Sequence, residues 1–374
     1  MKPFLRTILL LGVVLLITSG LIQAQDAPKP FCGDLSQADC ALMTGSDAVM
    51  QALDSHSFTL ALTVDATGLP DPAFKNVTFH FTGDGTVSLD RKGLPDASKL
   101  DPTTLSKDPK AIFDLISKSI THLSTDVRLN LDIPKELQSM MGGTKLPDTL
   151  KLNFRLVNGD FFVNTAELAP LYPQAAQMPA WLGINLPDLI TAILKQPSFN
   201  ANMGSFSSSA STDMSSKYTA LFSDPKTLAK FVKITRAADS TYETHKVAVF
   251  ETTIDFAALF ALPEMVEAIT TQMMAPSGQK LSASEQQMML PILQQAASML
   301  HFSMTRSIDL EQKYMYQMDA HMVMDFSILK SMFGSPMMFD FKVSITQGDF
   351  NSVPAISAPK DGVVIPVESL IPSK

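Results

Sequence analysis

Three stretches near the C-terminus alternate apolar and polar residues with a period of two, and this pattern constrains the fold more than any other feature. They span residues 302–310, 314–326 and 337–346. A period of two places successive side chains on opposite faces of a β-strand. The same alternation recurs at 58–66, 123–133 and 150–156. The sequence therefore predicts about ten antiparallel strands with one apolar and one polar face, because parallel strands between helix layers would be apolar on both faces.

The apolar face of such a sheet has to be covered, and short helix patterns between the strands can supply the cover. Helical spacing of apolar residues occurs at 41–54, 111–120, 187–194, 256–274 and 281–300. Neither half of the chain has enough helices to cover a sheet of its own, so one continuous sheet is expected. We predict an α+β fold: one large antiparallel sheet of about ten strands, with helices covering its apolar face.

Two short polar segments that contain glycine are expected to be hairpin turns. One is Gly83-Asp84-Gly85, between Phe81 and Val87, and the other is Asn158-Gly159-Asp160. Glycine and asparagine tolerate the positive φ angles that tight hairpin turns need. The first turn is predicted to split the segment 77–89 into two strands.

The N-terminus resembles a secretory leader. Lys2 and Arg6 precede the apolar run 8–17, which is too short to span a bilayer, and Ala24 offers a small residue for cleavage. We predict a signal peptide at 1–24 and a secreted or extracytoplasmic (cell-envelope) location. The alternative is that the leader is kept as an anchor.

The chain has two cysteines, Cys32 and Cys40, close to the predicted mature N-terminus. In an exported protein such a pair favours a disulfide. Lipid attachment at Cys32 is the alternative, although residues 28–31 lack the small apolar context expected there. We predict a disulfide-pinned segment and helix at 25–55, followed by a single domain at 56–374. That domain contains an insertion around 166–230 with a Ser-rich, exposed piece at 205–216.

Charge restricts the classes of partner. The formal net charge is −8, which disfavours binding to nucleic acid through the phosphate backbone. A lipid or another apolar small molecule is the expected partner, with transient membrane contact as a further expectation.

Methionine is concentrated towards the C-terminus, where fourteen of the 22 methionines lie between Met265 and Met338. Three interpretations stay open: an ordinary core, the adaptable lining of a ligand cavity, and a Cu(I) site built from thioethers. Adjacent pairs such as Met288 and Met289 diverge, which disfavours copper. The cavity-lining candidates are Met265, Ile269, Met273, Met288, Met289, Ile292, Leu293, Met299, Met304, Met318, Met322, Met324, Phe339, Phe341 and Trp181.

Arg236 and Arg306 each fall at a position where the alternation of the strand places apolar residues, and so they share the parity of their apolar neighbours. An unpaired charge on an apolar face would be costly. Either a bulge or a salt bridge at the rim of the sheet accommodates them, or one of them contacts an acidic lipid headgroup.

Motifs for catalysis are absent from the sequence. It contains no Gly-x-Ser-x-Gly, His-Glu-x-x-His or phosphate-loop pattern, and its six histidines are not at metal-ligand spacing. We therefore expect no enzymatic activity, no metal and no cofactor. The main alternative to a binding protein is a structural or adhesive envelope protein with the same fold and a filled core. A hydrolase with a dispersed triad is a remote third.

The strands at 58–81 and 123–163, together with the closing segment, resemble the LolA-like lipid-carrier superfamily, in particular the LppX/LprG-type exported lipoproteins. The closing segment is a strand at 339–345 followed by an Asn-x-Val-x-x-Ile-x-x-Pro tail at 351–359. The resemblance implies that the sheet is curved into a half-barrel of about ten strands, that helices cover its concave apolar face, and that an acyl chain is held between sheet and helices. The chain departs from that family in lacking the lipidation cysteine and in being longer, chiefly through the insertion.

Overall fold

The computed structural model describes residues 31–71, 75–94, 109–140, 147–195, 222, 224–266, 269, 283–330 and 334–369. Within them lie the α-helices α1 (Gln37–Gln51), α2 (Pro109–Thr121), α3 (Lys135–Met140), α4 (Leu186–Leu194), α5 (Pro225–Leu228), α6 (Phe256–Phe260) and α7 (Ala283–Ser298). None of the described helices is long and apolar enough to cross a membrane. The predicted signal peptide and the Ser-rich piece lie outside the described residues.

Thirteen strands form a single sheet that is curved and does not close. The strands are β1 (Ser55–Thr67), β2 (Asn76–Leu89), β3 (Leu123–Asp132), β4 (Thr149–Val157), β5 (Asp160–Asn164), β6 (Trp181–Asn185), β7 (Val232–Arg236), β8 (Ser240–Tyr242), β9 (His245–Ile254), β10 (Leu300–Asp309), β11 (Met315–Asp325), β12 (Met338–Gly348) and β13 (Gly362–Val364). Their order is β13-β6-β5-β4-β3-β2-β1-β12-β11-β10-β9-β7, with β8 beside β9. Among the strand pairs of the described residues, β13–β6 is parallel and the others are antiparallel.

The predicted fold class is confirmed: an α+β protein with one large, curved, mostly antiparallel sheet and helices. Several strands beyond the expected ten are short, notably β6, β8 and β13, which have three to five residues. Such segments carry too few residues for a period of two to be recognised. The stretch 166–230 also contributes β6 and α4 to the common sheet and its cover. The proposed domain boundaries remain a prediction.

The predicted turn at Gly83-Asp84-Gly85 was wrong, because β2 runs unbroken through these residues. Gly83 and Gly85 share the parity of the apolar face, where neighbouring strands approach closely. A Cβ atom on Gly85 would lie 2.7 Å from the carbonyl oxygen of Asp126, and one on Gly83 would lie 2.8 Å from the Leu129 side chain. Glycine inside a strand often marks such a close approach of another backbone. The two glycines therefore allow β3 to lie close to β2.

The second predicted turn is confirmed. Asn158 and Gly159 have φ angles of 52° and 85° and connect β4 to β5. Two positive φ angles match the two-residue hairpin turn whose twist suits antiparallel strands.

The helix ends follow local capping chemistry. The side chain of Ser36 accepts from the backbone N–H of Asp39 at 3.2 Å, so α1 begins four residues earlier than its apolar pattern suggests. Asn185 accepts from the N–H of Asp188 at 3.0 Å and starts α4. Each cap satisfies a backbone donor that lacks a partner within the helix.

The sheet is covered by packed side chains at both of its flanks. Over β3 to β6, helices α2 and α4 and three 3-10 turns close a large core that includes Leu156, Phe161 and Ile184. At the other flank, Met43 of α1 packs on Ile234, Phe250 and Ile308. A third cluster joins Phe231 to Leu259, Leu262 and Met265 around α6.

Candidate functional site

The central strands carry an apolar surface that is less buried than either flank. We call it the central apolar face. All its side chains are half-buried. Its residues are Leu60, Leu62 and Val64 of β1, Phe339, Phe341, Val343 and Ile345 of β12, Met318, Ala320, Met322 and Met324 of β11, and Phe302 and Met304 of β10.

Strand register makes this face continuous. Leu62 pairs with Val343, Val343 with Ala320, and Ala320 with Met304, so one row of apolar side chains crosses four strands. Cross-strand partners on one face lie about 4.5–5.5 Å apart between Cβ atoms. An extended apolar molecule laid along this face would therefore contact several strands at once.

Six of the predicted cavity-lining residues come together on this face: Met304, Met318, Met322, Met324, Phe339 and Phe341. Among them, Met322 pairs directly with Phe341, and Met324 with Phe339, across β11 and β12. Methionine adapts to irregular apolar partners better than branched side chains do. A ligand-lining role for these residues stays a prediction.

The other candidates lie elsewhere. Met265, Leu293 and Met299 are buried, and Ile269 packs on the cluster around α6. Ile292 of α7 is 57% exposed. Met273 and the side chains of Met288 and Met289 lie outside the described residues. Trp181 lies on β6, five strand positions from β1, with the Arg155 guanidinium 5.4 Å from the centre of its ring.

Arg236 and Arg306 lie in one row, separated by Phe250. The row continues through Met318 to Ile345 of the central apolar face. Helix α1 covers this end of the sheet, because two of its residues contact Arg306. Arg306 Nη2 donates to Met43 Sδ at 3.0 Å, and Arg306 Nη1 lies 3.6 Å from Asp47 Oδ1. The arginines therefore mark where the apolar face meets α1.

Further polar groups lie at the same end. Gln347 and His56 share the parity of the apolar face on β12 and β1, and burial lowers the pKa of His56. Burial also raises the pKa of Asp47, although the charge of Arg306 acts in the opposite direction. The Oε1 atom of Gln347 is buried and has no hydrogen-bond partner among the described residues. One end of the apolar face is thus polar.

Sequence reasoning missed this polar end apart from its arginine. Gln347 and His56 are polar residues at positions where the alternation of their strands predicts apolar ones, as Arg306 is. The sequence alone could therefore have revealed them. Asp47 could not be found in this way, since it belongs to a helix whose position on the sheet depends on tertiary contacts.

The opposite face of the same four strands holds a polar hollow of about 400 Å³. Eight of its lining residues have the parity of that face (Ala61, Thr63, Ser303, Thr305, Asp319, His321, Lys342 and Ser344), and Ala320 and Val343 of the central apolar face complete the lining. At its edge, His321 Nε2 lies 2.8 Å from Asp340 Oδ1, and Lys342 Nζ lies 3.0 Å from Asp340 Oδ2. Burial acts to raise the pKa of Asp340, but hydrogen bonds from Lys342 and His321 outweigh it and lower that pKa. These charged groups are unsuited to an acyl chain.

Among the residues that the structure describes, no group of three or more histidine, cysteine or acidic side chains is placed to hold a metal ion. The predicted disulfide between Cys32 and Cys40 is present.

No family model and no curated protein matches the chain. Solved structures with a similar course of the chain include the lipoprotein LppX of Mycobacterium tuberculosis, at 10% identity, covering 85% of this chain and 97% of that one with a TM-score of 0.27. LprF from Mycobacterium bovis is also 10% identical, with 87% and 99% coverage and a TM-score of 0.32. A putative outer membrane lipoprotein-sorting protein domain from Vibrio parahaemolyticus is 6% identical, with 83% and 91% coverage and a TM-score of 0.18.

These matches name the same group of proteins as the resemblance seen in the sequence. At such identities and TM-scores they carry no argument about function. The residues of this chain therefore have to support any functional conclusion by themselves.

Proposed function

We propose that the protein is an exported, non-enzymatic binding protein that shelters the acyl chain of a lipid, or another apolar ligand, on the central apolar face beneath its helices. The observation that supports this is the contrast in burial along one sheet: both flanks are closed by packed side chains, whereas the thirteen residues of the central apolar face stay half-buried. Contiguous apolar surface that stays partly accessible to solvent often marks a ligand site.

Burial of an acyl chain supplies enough free energy for binding. Each methylene removed from water contributes about 0.8 kcal/mol. Ten methylenes would contribute about 8 kcal/mol, the free energy of a dissociation constant on the order of micromolar, and the entropic cost of binding has to be subtracted from it.

Export and the nature of the partners belong to the same proposal. The leader at 1–24 would direct the chain out of the cytoplasm, and the Cys32–Cys40 disulfide suits an oxidising compartment. The ligand would be collected during transient contact with a membrane. The net charge of −8 argues against nucleic acid as a partner.

A matched pair of substitutions on one strand tests the proposal. Leu62 of β1 belongs to the row of apolar side chains that crosses the central apolar face, and Thr59 of the same strand is exposed on the other face. Leu62→Lys should abolish binding of a fluorescent fatty acid, because a charge would enter the acyl-chain site. Thr59→Lys should leave binding unchanged.

Binding is measured by fluorescence titration of delipidated protein, and thermal unfolding checks that each variant folds. Met322→Gln, nearly equal in volume to the original side chain, should weaken binding if Leu62→Lys does not fold. Mass spectrometry under native and then denaturing conditions shows whether a lipid co-purifies with the wild type. Absence of both a co-purified lipid and fatty-acid binding would contradict the proposal and favour a structural envelope protein.

A further inference from the structure

The two arginines on the apolar face differ in how completely their hydrogen-bonding groups are satisfied. Arg236 Nε donates to Asp39 Oδ1 at 3.2 Å, its Nη2 pairs with Asp239, and its Nη1 donates to the carbonyl of Ala237 at 2.7 Å. All three nitrogens of this guanidinium therefore have oxygen partners.

Arg306 has much poorer partners although its side chain is only 17% exposed. Its contacts among the described residues are a thioether sulfur, which is a weak acceptor, and the Asp47 carboxylate at 3.6 Å, beyond hydrogen-bond distance. Its Nε atom is buried without any hydrogen-bond partner in the described part of the chain. A buried guanidinium left in this state is costly, and an additional anion within reach would offset that cost.

A guanidinium matches the geometry of a carboxylate or phosphate oxygen pair better than any other side chain does. Arg306 also occupies the place where such a group would arrive. In register it is the direct neighbour of Met318, and Met318 is the neighbour of Ile345, so Arg306 borders the central apolar face under α1.

The length of the central apolar face along β12 is sufficient for one acyl chain. From Ile345 to Phe339, the central apolar face extends over six residue-to-residue steps of β12, or about 20 Å at 3.4 Å per step. Half of a bilayer's hydrocarbon core, the depth reached by one acyl chain, is about 15 Å. A chain whose head lies at the α1 end would reach towards Met324 and Phe339.

We infer that the ligand is an amphiphile with an anionic head, that the head lies against Arg306 beneath α1, and that its tail runs along the central apolar face towards Phe339. This inference rests on the proposed function and adds the chemical class and the orientation of the ligand. Arg236, whose partners are complete, has a structural role in this scheme.

The test compares two probes that differ in one charge: parinaric acid, a fluorescent fatty acid, and its methyl ester. Delipidated wild-type protein at pH 7.5 should bind the acid roughly tenfold more tightly than the ester, the effect expected of one charge-assisted hydrogen bond. Arg306→Met should remove this preference by weakening only the acid. Arg236→Met is the matched control and should keep the full acid-to-ester ratio.

Arg306→Lys retains the charge and should keep part of the preference. Equal affinities of the wild type for acid and ester would overturn the inference while leaving the proposed function intact. The inference would also be overturned if the acid-to-ester affinity ratio of Arg306→Lys were no larger than that of Arg306→Met, because the positive charge would then not be the cause of the preference. If the wild type binds neither probe and no lipid co-purifies with it, the proposed function itself fails.

Discussion

Alternation produces an apolar face on β3 and β4, which β5 and β6 extend, and another on β1, β12, β11 and β10, yet the two faces are closed to different degrees. In the first region, Leu156 and Phe161 are each 1% exposed beneath α2 and α4. In the second, every side chain of the central apolar face stays half-buried. The same sequence pattern therefore serves a solid core in one region and an accessible apolar surface in the other.

This difference separates stability from function within one sheet. A packed core contributes to folding through transfer from water and through dense contacts, and both are lost when a side chain is truncated. A half-buried surface contributes less to folding and keeps part of its transfer free energy for a ligand. Substitutions in the two regions should therefore have different consequences.

The largest expected effect is on the closed region. Phe161→Ala should lower the free energy of unfolding by about 3–5 kcal/mol, because it leaves a cavity in a packed core. Met322→Ala on the central apolar face should lower it by less than about 2 kcal/mol, since part of that side chain already faces solvent. Urea denaturation followed by circular dichroism measures both. Equal losses would show that the two regions are packed alike.

Removal of the disulfide should have the second-largest effect on stability. The Cys32–Cys40 bond closes a short loop at the start of α1, the helix that covers the strand end carrying Arg306. Replacing both cysteines by serine should cost about 2–3 kcal/mol through the greater entropy of the unfolded chain. A reducing agent should destabilise the wild type to a similar extent and leave the double variant unaffected. Unchanged stability in the double variant would mean that α1 is held by packing alone.

The close approach of β3 to β2, between the two regions, gives a smaller effect. Gly85→Ala should destabilise by about 1–3 kcal/mol, because the new methyl group meets the Asp126 carbonyl and the ring of Phe58. Gly348→Ala is the matched control, since a Cβ atom there would lie at an ordinary 3.5 Å from Ser57 Oγ. Thermal unfolding compares the two variants. If both behave alike, close approach at β2 does not shape the sheet.

The smallest effect concerns the polar face. The pKa of Asp340 is lowered in the folded protein, so its ion pairs stabilise the fold at pH values above about 4, the unfolded value. This stabilisation is lost as the pH falls through the lower folded pKa. Between pH 6 and pH 3, wild-type protein should therefore lose more stability than Asp340→Asn. If the unfolding midpoints of the wild type and Asp340→Asn change with pH in parallel, Asp340 does not contribute to the loss of stability in acid.

Much of the fold was predictable because it depends on local periodicity. The long strands β1, β3, β10, β11 and β12 follow directly from alternation, and the Asn158-Gly159 turn follows from backbone preferences. The error at Gly83 and Gly85 has a different origin: glycine serves either a turn or a close approach of strands, and only the neighbouring strands decide between them.

The candidate site was predictable only in part. The parity of Met304, Met318 and Met322 placed them on one face, and the parity of Arg306 marked it as unusual. Local pattern could not show that Arg236 has complete partners and Arg306 does not, because Asp39, Met43 and Asp47 lie almost 200 residues or more away in sequence.

The sequence by itself determined that this chain forms long antiparallel strands with one apolar face, because the side-chain period of a strand is set by backbone geometry. The tertiary structure decided how the strands are ordered, which part of that face is closed and which arginine lacks a partner. Those properties depend on contacts between segments far apart in the chain, and local pattern carries no information about such distances.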